Sequence, residues 1–184
     1  MVIVILGLLL LTQVEPAAKE VSGASRILVV YYSRSGTTAR IGTELASALD
    51  ADVEVIRDVR GRGGLFGFIR SGYEATRKLR PAIQPTEKDP ADYDLVVLGT
   101  PVWAGTMASP MRTYIHQNRD KFKAVAFFCT QGGETGQSAL DDMAELCDAT
   151  PVATLSLQHD IVVKGDYRGQ LEEFADSVRE EAEY

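Results

Sequence analysis

The chain has 184 residues, a length typical of one domain; 45% of them are hydrophobic and 24% are charged. This balance predicts a globular core and excludes a predominantly disordered chain. The net charge of −7 argues against a nucleic-acid-binding protein, which is usually basic, and suits solubility and docking to a basic partner.

The first 25 residues differ in composition from the rest. Val2–Leu11 is an apolar run too short to span a bilayer, and a polar linker follows it up to Ser25. The run resembles the apolar core of a signal peptide, and residues 22–24 fit a cleavage site, but no basic residue precedes the run. A signal or anchor is one interpretation. We favour the other, a start codon assigned too far upstream, with the native protein beginning near Arg26.

Residues 26–184 form one predicted domain in which apolar strands alternate with helical patterns. Strands are predicted at about 26–32, 53–56, 94–99, 123–129 and 152–157, and helices at about 38–49, 110–118, 137–148 and 167–183. Such alternation predicts a parallel sheet covered on both faces, a three-layer α/β/α domain. Five strands fit a doubly wound sheet in the order 2-1-3-4-5.

A basic helical insert at about 58–84 interrupts this alternation. The residues from Arg57 to Arg80 include six arginines and one lysine against two acidic residues. From Leu65 onward the apolar residues follow a helical period, so we expect an amphipathic helix with a basic face. We favour a helix that packs its Phe and Leu side and exposes its arginines; the alternative is that the arginines bind the phosphates of a ligand.

The turn between the first strand and the first helix has the chemistry of a phosphate site. It consists of Ser33, Arg34, Ser35, Gly36, Thr37 and Thr38. Its hydroxyls can donate to phosphate oxygens, the N–H groups at the helix start lack partners, and Gly36 permits a tight turn. Because the motifs of triphosphate and pyrophosphate sites are absent, we expect a single terminal phosphate. An ordinary capped turn is the alternative, with Arg34 in solvent.

Two further loops should join this turn, because ligands of doubly wound sheets lie at the carboxyl ends of the strands near the switch point. The loop predicted at 100–106 contains Thr100, Pro101, Val102, Trp103, Ala104 and Gly105. We interpret Trp103, the only tryptophan, as a platform for an aromatic ligand rather than a core residue. The loop predicted at 130–136 contains Thr130, Gln131, Gly132 and Gly133. Its glycines let the backbone approach a ring.

The three loops resemble those of the flavodoxin family. The first turn, which follows Val29-Val30-Tyr31-Tyr32, is similar to the flavodoxin phosphate loop. The residues from Gly99 to Gly105, followed by Ser109-Pro110, are similar to the second flavin loop, and those from Phe128 to Gly133 to the third. The resemblance extends from about Arg26 to the C-terminus and implies the flavodoxin-like fold.

The resemblance also implies FMN, held without a covalent bond. The residues expected to hold its phosphate are Ser33, Ser35, Gly36, Thr37 and Thr38. Those expected at its isoalloxazine ring are Trp103 on one face, Pro101, Val102, Ala104 and Gly105 at the edge, and residues 130–133 at the pyrimidine side. The third loop lacks the aromatic residue that many flavodoxins place over the second face, so that face could stay open to a substrate.

Two functions stay open at this point. An electron-transfer protein acting between redox partners fits a small acidic domain. An FMN-dependent NAD(P)H oxidoreductase that reduces a quinone or a similar small acceptor fits an open flavin face and the basic insert. Flavin loading favours the cytoplasm, and we expect no membrane partner unless residues 1–24 are an anchor.

No residue is predicted to be catalytic. His159-Asp160 has the composition of an acid–base pair, but we favour a surface histidine at a loop. Cys129 and Cys147 are expected to be small buried apolar residues, and the spacing of the cysteines and histidines does not indicate a zinc site.

Overall fold

The computed structural model describes residues 25–61 and 63–182. Its strands are β1 Ile27–Tyr32, β2 Asp52–Ile56, β3 Leu95–Trp103, β4 Thr106–Met107, β5 Val125–Gln131 and β6 Thr154–Gln158. Its helices are α1 Thr37–Leu49, α2 Gly64–Thr76, α3 Ser109–Asn118, α4 Gly136–Cys147, α5 His159–Lys164 and α6 Arg168–Ala182. The apolar run Val2–Leu11 lies outside the described residues, so the domain boundary near Arg26 stays a prediction.

A parallel sheet in the order β2-β1-β3-β5-β6 forms the centre of the domain, which confirms the predicted order of the five main strands. Successive side chains of β1 point to opposite faces, and all six of its residues are buried. One face packs against α1 and α6, and the other against α3 and α4. The three-layer α/β/α architecture is therefore confirmed, with one apolar core on each side of the sheet.

Two elements differ from the prediction. The region predicted as a loop at 100–106 is a hairpin, in which β3 continues to Trp103 and pairs antiparallel with the short strand β4. A two-residue turn of Ala104 and Gly105 joins them, and both residues have positive φ, 48° and 79°. Positive φ at both residues is typical of a tight hairpin turn. The first position of such a turn is usually asparagine, aspartate or glycine, so the alanine at position 104 did not indicate one. The six-residue helix α5 also escaped prediction, because it is too short to show a period.

The basic insert forms the predicted helix, α2, but the expected packing of its apolar side is wrong. The residues that α2 buries are Gly67, Ser71, Glu74 and Ala75. Those it exposes include Leu65, Phe66, Phe68, Ile69 and Tyr73. The small inward residues allow α2 to lie close to β3, β4 and α3, and the longer apolar side chains therefore point to solvent.

The segments on either side of α2 are held to the domain and to each other. Asp58 and Ile83 form an antiparallel bridge, and the N–H of Gln84 donates to the carbonyl of Arg57 at 2.8 Å. Thr113 on α3 donates its hydroxyl to the carbonyl of Pro81 at 2.7 Å. The insert is thus a fixed part of the domain.

Both cysteines are buried, as the sequence predicts. Burial raises the pKa of both thiols, and that of Cys147 reaches about 12. Within residues 25–61 and 63–182, no helix combines the length and apolarity that a bilayer crossing requires.

Gly99 in β3 leaves space for the ring of Phe128, and this predicts a cost for any side chain there. A Cβ at residue 99 would lie 2.0 Å from the nearest ring atom of Phe128, whose ring is fully buried and has little room to move. We expect Gly99→Ala to lower the free energy of unfolding by about 1–3 kcal/mol in urea denaturation. Gly169→Ala in α6, where a Cβ meets open space, is the control and should not destabilise the protein. Equal stability of the two variants would contradict the packing described.

Candidate functional site

The carboxyl ends of three adjacent strands bring the predicted loops together. Tyr31 in β1 pairs with Gly99 in β3, and Pro101 in β3 pairs with Thr130 in β5. The turn after β1, the β3–β4 hairpin and the loop after β5 therefore lie side by side at one edge of the sheet. This edge includes the switch point between β1 and β3, where doubly wound sheets bind ligands.

The turn after β1 presents the open N-terminus of α1. Gly36 precedes the helix with φ of 96°, and no side chain caps the first turn. Its own N–H donates to the hydroxyl of Ser33 at 3.2 Å, which closes the turn. The remaining N–H groups at the start of α1 lack intrahelical partners, and the partly or fully exposed residues Ser33, Ser35 and Thr37 lie in or next to this turn. The helix dipole makes this end of α1 favourable for negative charge.

Two threonines at the start of α1 connect this turn to other elements. Thr38 is buried, and its hydroxyl lies 2.7 Å from that of Thr130 on β5. The hydroxyl oxygen of Thr37 lies 3.2 Å from Nδ1 of His159, the first residue of α5. The side chain of Thr38 is therefore directed behind the turn, where it fixes α1 against β5. The histidine expected at a loop begins a helix and contacts the turn.

The hairpin holds Trp103 beside the turn. The Trp103 side chain is half-buried, and its ring meets that of Tyr32 edge to face, with centroids 5.4 Å apart and planes at 89°. Tyr32 is the last residue of β1, and nothing in the sequence indicates its contact with the indole. Trp103 is therefore half-buried beside the end of β1, and it packs against the apolar core on the α3–α4 side of the sheet. Its role as a platform for a ligand stays a prediction.

Thr100 stabilises the hairpin from its buried side. It is fully buried, and its hydroxyl accepts a hydrogen bond from the N–H of Ala108 at 3.0 Å. Its side chain therefore does not face the open side of the site. The other predicted residues of this region, Pro101, Val102 and Gly105, are half-buried, and Ala104 at the turn is exposed.

A buried ionic network fixes the far strand of the hairpin. Asp142 on α4 accepts hydrogen bonds from the guanidinium of Arg112 and from the hydroxyl of Thr106 on β4, and it pairs with Lys78 at 3.0 Å. Burial by itself raises the pKa of the Asp142 carboxyl, but the hydrogen bonds from Arg112, Thr106 and Lys78 outweigh it and hold that pKa below its ordinary value. The network links α3, α4 and the insert to the strand that pairs with Trp103.

The loop after β5 is open on its outer side. Gly132 and Gly133 are exposed, and a Cβ on either would meet no atom within 4 Å. Gln131 turns its amide toward β6 and donates to the hydroxyl of Ser156 at 2.8 Å. The backbone of this loop is therefore exposed at the edge of the sheet that carries the other two loops.

The insert borders the turn on its other side. Arg34 donates to the carbonyl of Gly64 at 3.4 Å, and its guanidinium lies 5.5 Å from the ring centroid of Phe68. A cleft of about 510 Å³ lies beside the turn, and its charged lining residues are Arg34, Arg57 and Asp58. The contact of Arg34 with α2 was not predicted from the sequence, and binding of a phosphate by Arg34 stays a prediction.

This fold and site define a doubly wound α/β protein in which the uncapped N-terminus of α1 lies at the switch point. The sequence profile of the flavodoxin family matches residues 66–167, more than half of the chain. The chain therefore belongs to the flavodoxin family.

Several solved structures share this fold. A putative flavoprotein from Bacteroides uniformis superposes with a TM-score of 0.71 at 22% identity, over 83% of this chain and 99% of that protein. A putative flavoprotein from Bacteroides eggerthii gives a TM-score of 0.65 at 26% identity, over 82% of this chain and 98% of that protein. A flavoprotein from Lactobacillus acidophilus, solved in complex with FMN, superposes with a TM-score of 0.63 at 24% identity. The superposition covers 77% of this chain and 98% of that protein.

The role of Arg112 in holding the hairpin can be tested by stability. Arg112→Leu leaves the Asp142 carboxylate buried with one cation fewer, so we expect the free energy of unfolding to fall by about 3 kcal/mol or more. The double variant Arg112→Leu/Asp142→Leu should recover much of that loss, because no buried charge then stays unpaired. Lys123→Gln, which breaks an exposed pair with Asp94, is the control and should cost less than about 1 kcal/mol. A loss from Arg112→Leu no larger than that of the control would contradict the proposed role.

Proposed function

We propose that this chain binds FMN without a covalent bond and transfers electrons between redox partners. The observation that carries the proposal is the meeting, at the switch point, of the open N-terminus of α1 and the hairpin that bears Trp103. One element suits a phosphate and the other an aromatic ring, and FMN contains both. Membership of the flavodoxin family supports the same cofactor.

The donor set of the turn fits a phosphate monoester. Backbone N–H groups of α1 and the hydroxyls of Ser33, Ser35 and Thr37 are neutral donors that can surround a single dianion. Arg34 is the one cation of the turn, and its contact with Gly64 directs it toward α2. The turn would therefore hold the phosphate mainly by hydrogen bonds and the helix dipole.

The hairpin fits the ring part of FMN. Trp103 offers a flat apolar surface, and its contact with Tyr32 and the network at Thr106 restrain its position. Pro101, Val102, Ala104 and Gly105 would line the ring edge, with the open backbone of residues 130–133 opposite. FMN supplies the redox chemistry when bound. The protein would supply the position of the ring and exclude water from the face that Trp103 covers.

Removal of the indole should weaken FMN binding. We expect Trp103→Ala to cost about 1–3 kcal/mol of binding free energy through lost stacking and burial, roughly a 5- to 150-fold rise in Kd. Trp103→Phe keeps an aromatic face and should lose less. The measurement is a titration of the apoprotein that follows quenching of flavin fluorescence, with riboflavin as a second ligand to isolate the contribution of the phosphate. An unchanged Kd in Trp103→Ala would refute the assignment of the ring site.

A second function, NAD(P)H-dependent reduction of a quinone or similar small acceptor, has specific support. Arg34 and Arg57 both line the cleft beside the turn. Two arginines in one cleft suit the phosphates of a nicotinamide donor. The loop after β5 also lacks an aromatic residue that would cover the second ring face. In this alternative the donor or acceptor would approach that open face.

Anaerobic mixing with NADPH or NADH separates the two functions. For an electron carrier we expect the flavin absorbance to stay unchanged until a separate reductase is added. Rapid bleaching by the nucleotide alone would overturn the carrier assignment and favour the oxidoreductase. In that case Arg57→Gln should raise the KM for the nucleotide more than it lowers kcat, whereas Arg168→Gln, at an exposed site on α6, should change neither.

A further inference from the structure

Helix α2 presents an apolar face to solvent. Leu65, Ile69 and Tyr73 recur at intervals of four residues and are 70%, 58% and 58% exposed, and Phe66 beside them is 87% exposed. Because Gly67, Ser71 and Ala75 already occupy the inward side, the apolar side chains have no place in the core of the domain. Exposed apolar patches of this kind mark interaction sites.

Cations border this face. Arg60 and Arg80 line a cleft of about 500 Å³ on the flank of α2, together with the ion-paired side chains of Arg70 and Glu74. Among residues 25–61 and 63–182, no acidic side chain pairs with Arg60 or Arg80. Arg77, at the end of the helix, lies over the ring of Tyr73 at 5.7 Å. These positive charges gather around the apolar face although the whole chain has a net charge of −7.

We infer that α2 docks on the surface of an anionic lipid bilayer. Its apolar face would enter the boundary between headgroups and acyl chains, while Arg60, Arg77 and Arg80 contact lipid phosphates. An apolar helix face with basic residues at its sides is the arrangement that interfacial helices use. The cleft at Arg60 and Arg80 has room for a phosphate headgroup beside the inserted face.

The shape and charge of the surface favour lipid over a second copy of the chain. A two-fold dimer through α2 would place the two cationic borders against each other, which is repulsive. The face is also a single convex helix, so a protein partner would need a matching groove, whereas a lipid surface adapts to it. This inference does not depend on flavin binding.

Docking through α2 would orient the candidate site. The helix begins beside the turn after β1, where Arg34 contacts Gly64 and Phe68. The edge of the sheet that carries the site would then lie close to the membrane surface. Small apolar molecules dissolved in the bilayer would be nearest to that edge.

Co-sedimentation of the full chain with vesicles tests the inference. We expect binding to vesicles of phosphatidylcholine containing roughly 30% phosphatidylglycerol, and binding weaker by about tenfold or more with phosphatidylcholine alone. Phe66→Ser/Ile69→Ser and Arg60→Gln/Arg80→Gln should each reduce binding to the anionic vesicles by about tenfold or more. The controls are Val163→Ser, at an exposed apolar site on α5, and Arg168→Gln on α6; both should bind like the parent chain. All of these sites are exposed, so equal thermal unfolding midpoints should show that the variants are folded.

The same data can overturn the inference. It fails if the parent chain does not bind the anionic vesicles, or if it binds neutral and anionic vesicles equally. It also fails if the α2 variants bind as well as the parent chain, which would assign binding to another segment such as Val2–Leu11. Light scattering of the lipid-free protein adds one further outcome: a dimer that the α2 variants dissociate, without vesicle binding, would assign the face to a second copy of the chain.

Discussion

Burial of β1 and β3 on both faces is the constraint on which the other features depend. Leu28, Val29 and Val30 are fully buried, as are Val96, Val97 and Leu98 opposite them. Each buried apolar side chain of this size contributes roughly 1.5–3 kcal/mol, so burial strongly favours the pairing of these two strands. Because a shift of one residue would exchange the faces of every side chain, the register is fixed, and with it the alignment of the loops at the carboxyl ends.

Polar contacts then adjust the site within this frame. The hydroxyl pair of Thr38 and Thr130 joins the start of α1 to β5, and the network of Arg112, Asp142 and Thr106 joins the hairpin to the helices behind it. All of these residues except the half-buried Thr106 are buried, so the loss of one partner would leave a buried polar group with a hydrogen bond fewer. The turn after β1 is therefore held to the sheet by a pair of hydroxyl groups, and the β3–β4 hairpin is held by an ionic network.

Much of this was predictable from the sequence, and the exceptions have physical reasons. Strands covered on both faces are continuous apolar runs, so the five main strands and their order follow from pattern and topology. The turn of residues 33–38 and Trp103 stand out because their residue types are specific. The roles of Thr38 and Thr100 were not visible, since a hydroxyl that binds a ligand and one that binds the backbone look alike in a sequence.

The insert shows a different limit of sequence reasoning. Its helical period was clear, but a period gives only the spacing of the apolar residues and not the side on which the domain lies. The general preference for apolar burial suggested that Phe66 and Phe68 pack inward. In the structure, Gly67, Ser71 and Ala75 face inward instead. Only small side chains allow α2 to lie so close to β3, β4 and α3.

The burial of both cysteines has a consequence for the sensitivity of the chain to oxidation. A thiol must lose its proton before peroxide can oxidise it at a useful rate, and burial keeps Cys129 and Cys147 protonated at neutral pH. The chain therefore offers peroxide no reactive thiolate among its own side chains. The burial that packs these two side chains into the core therefore also protects them from oxidation to sulfenic acid or mixed disulfides.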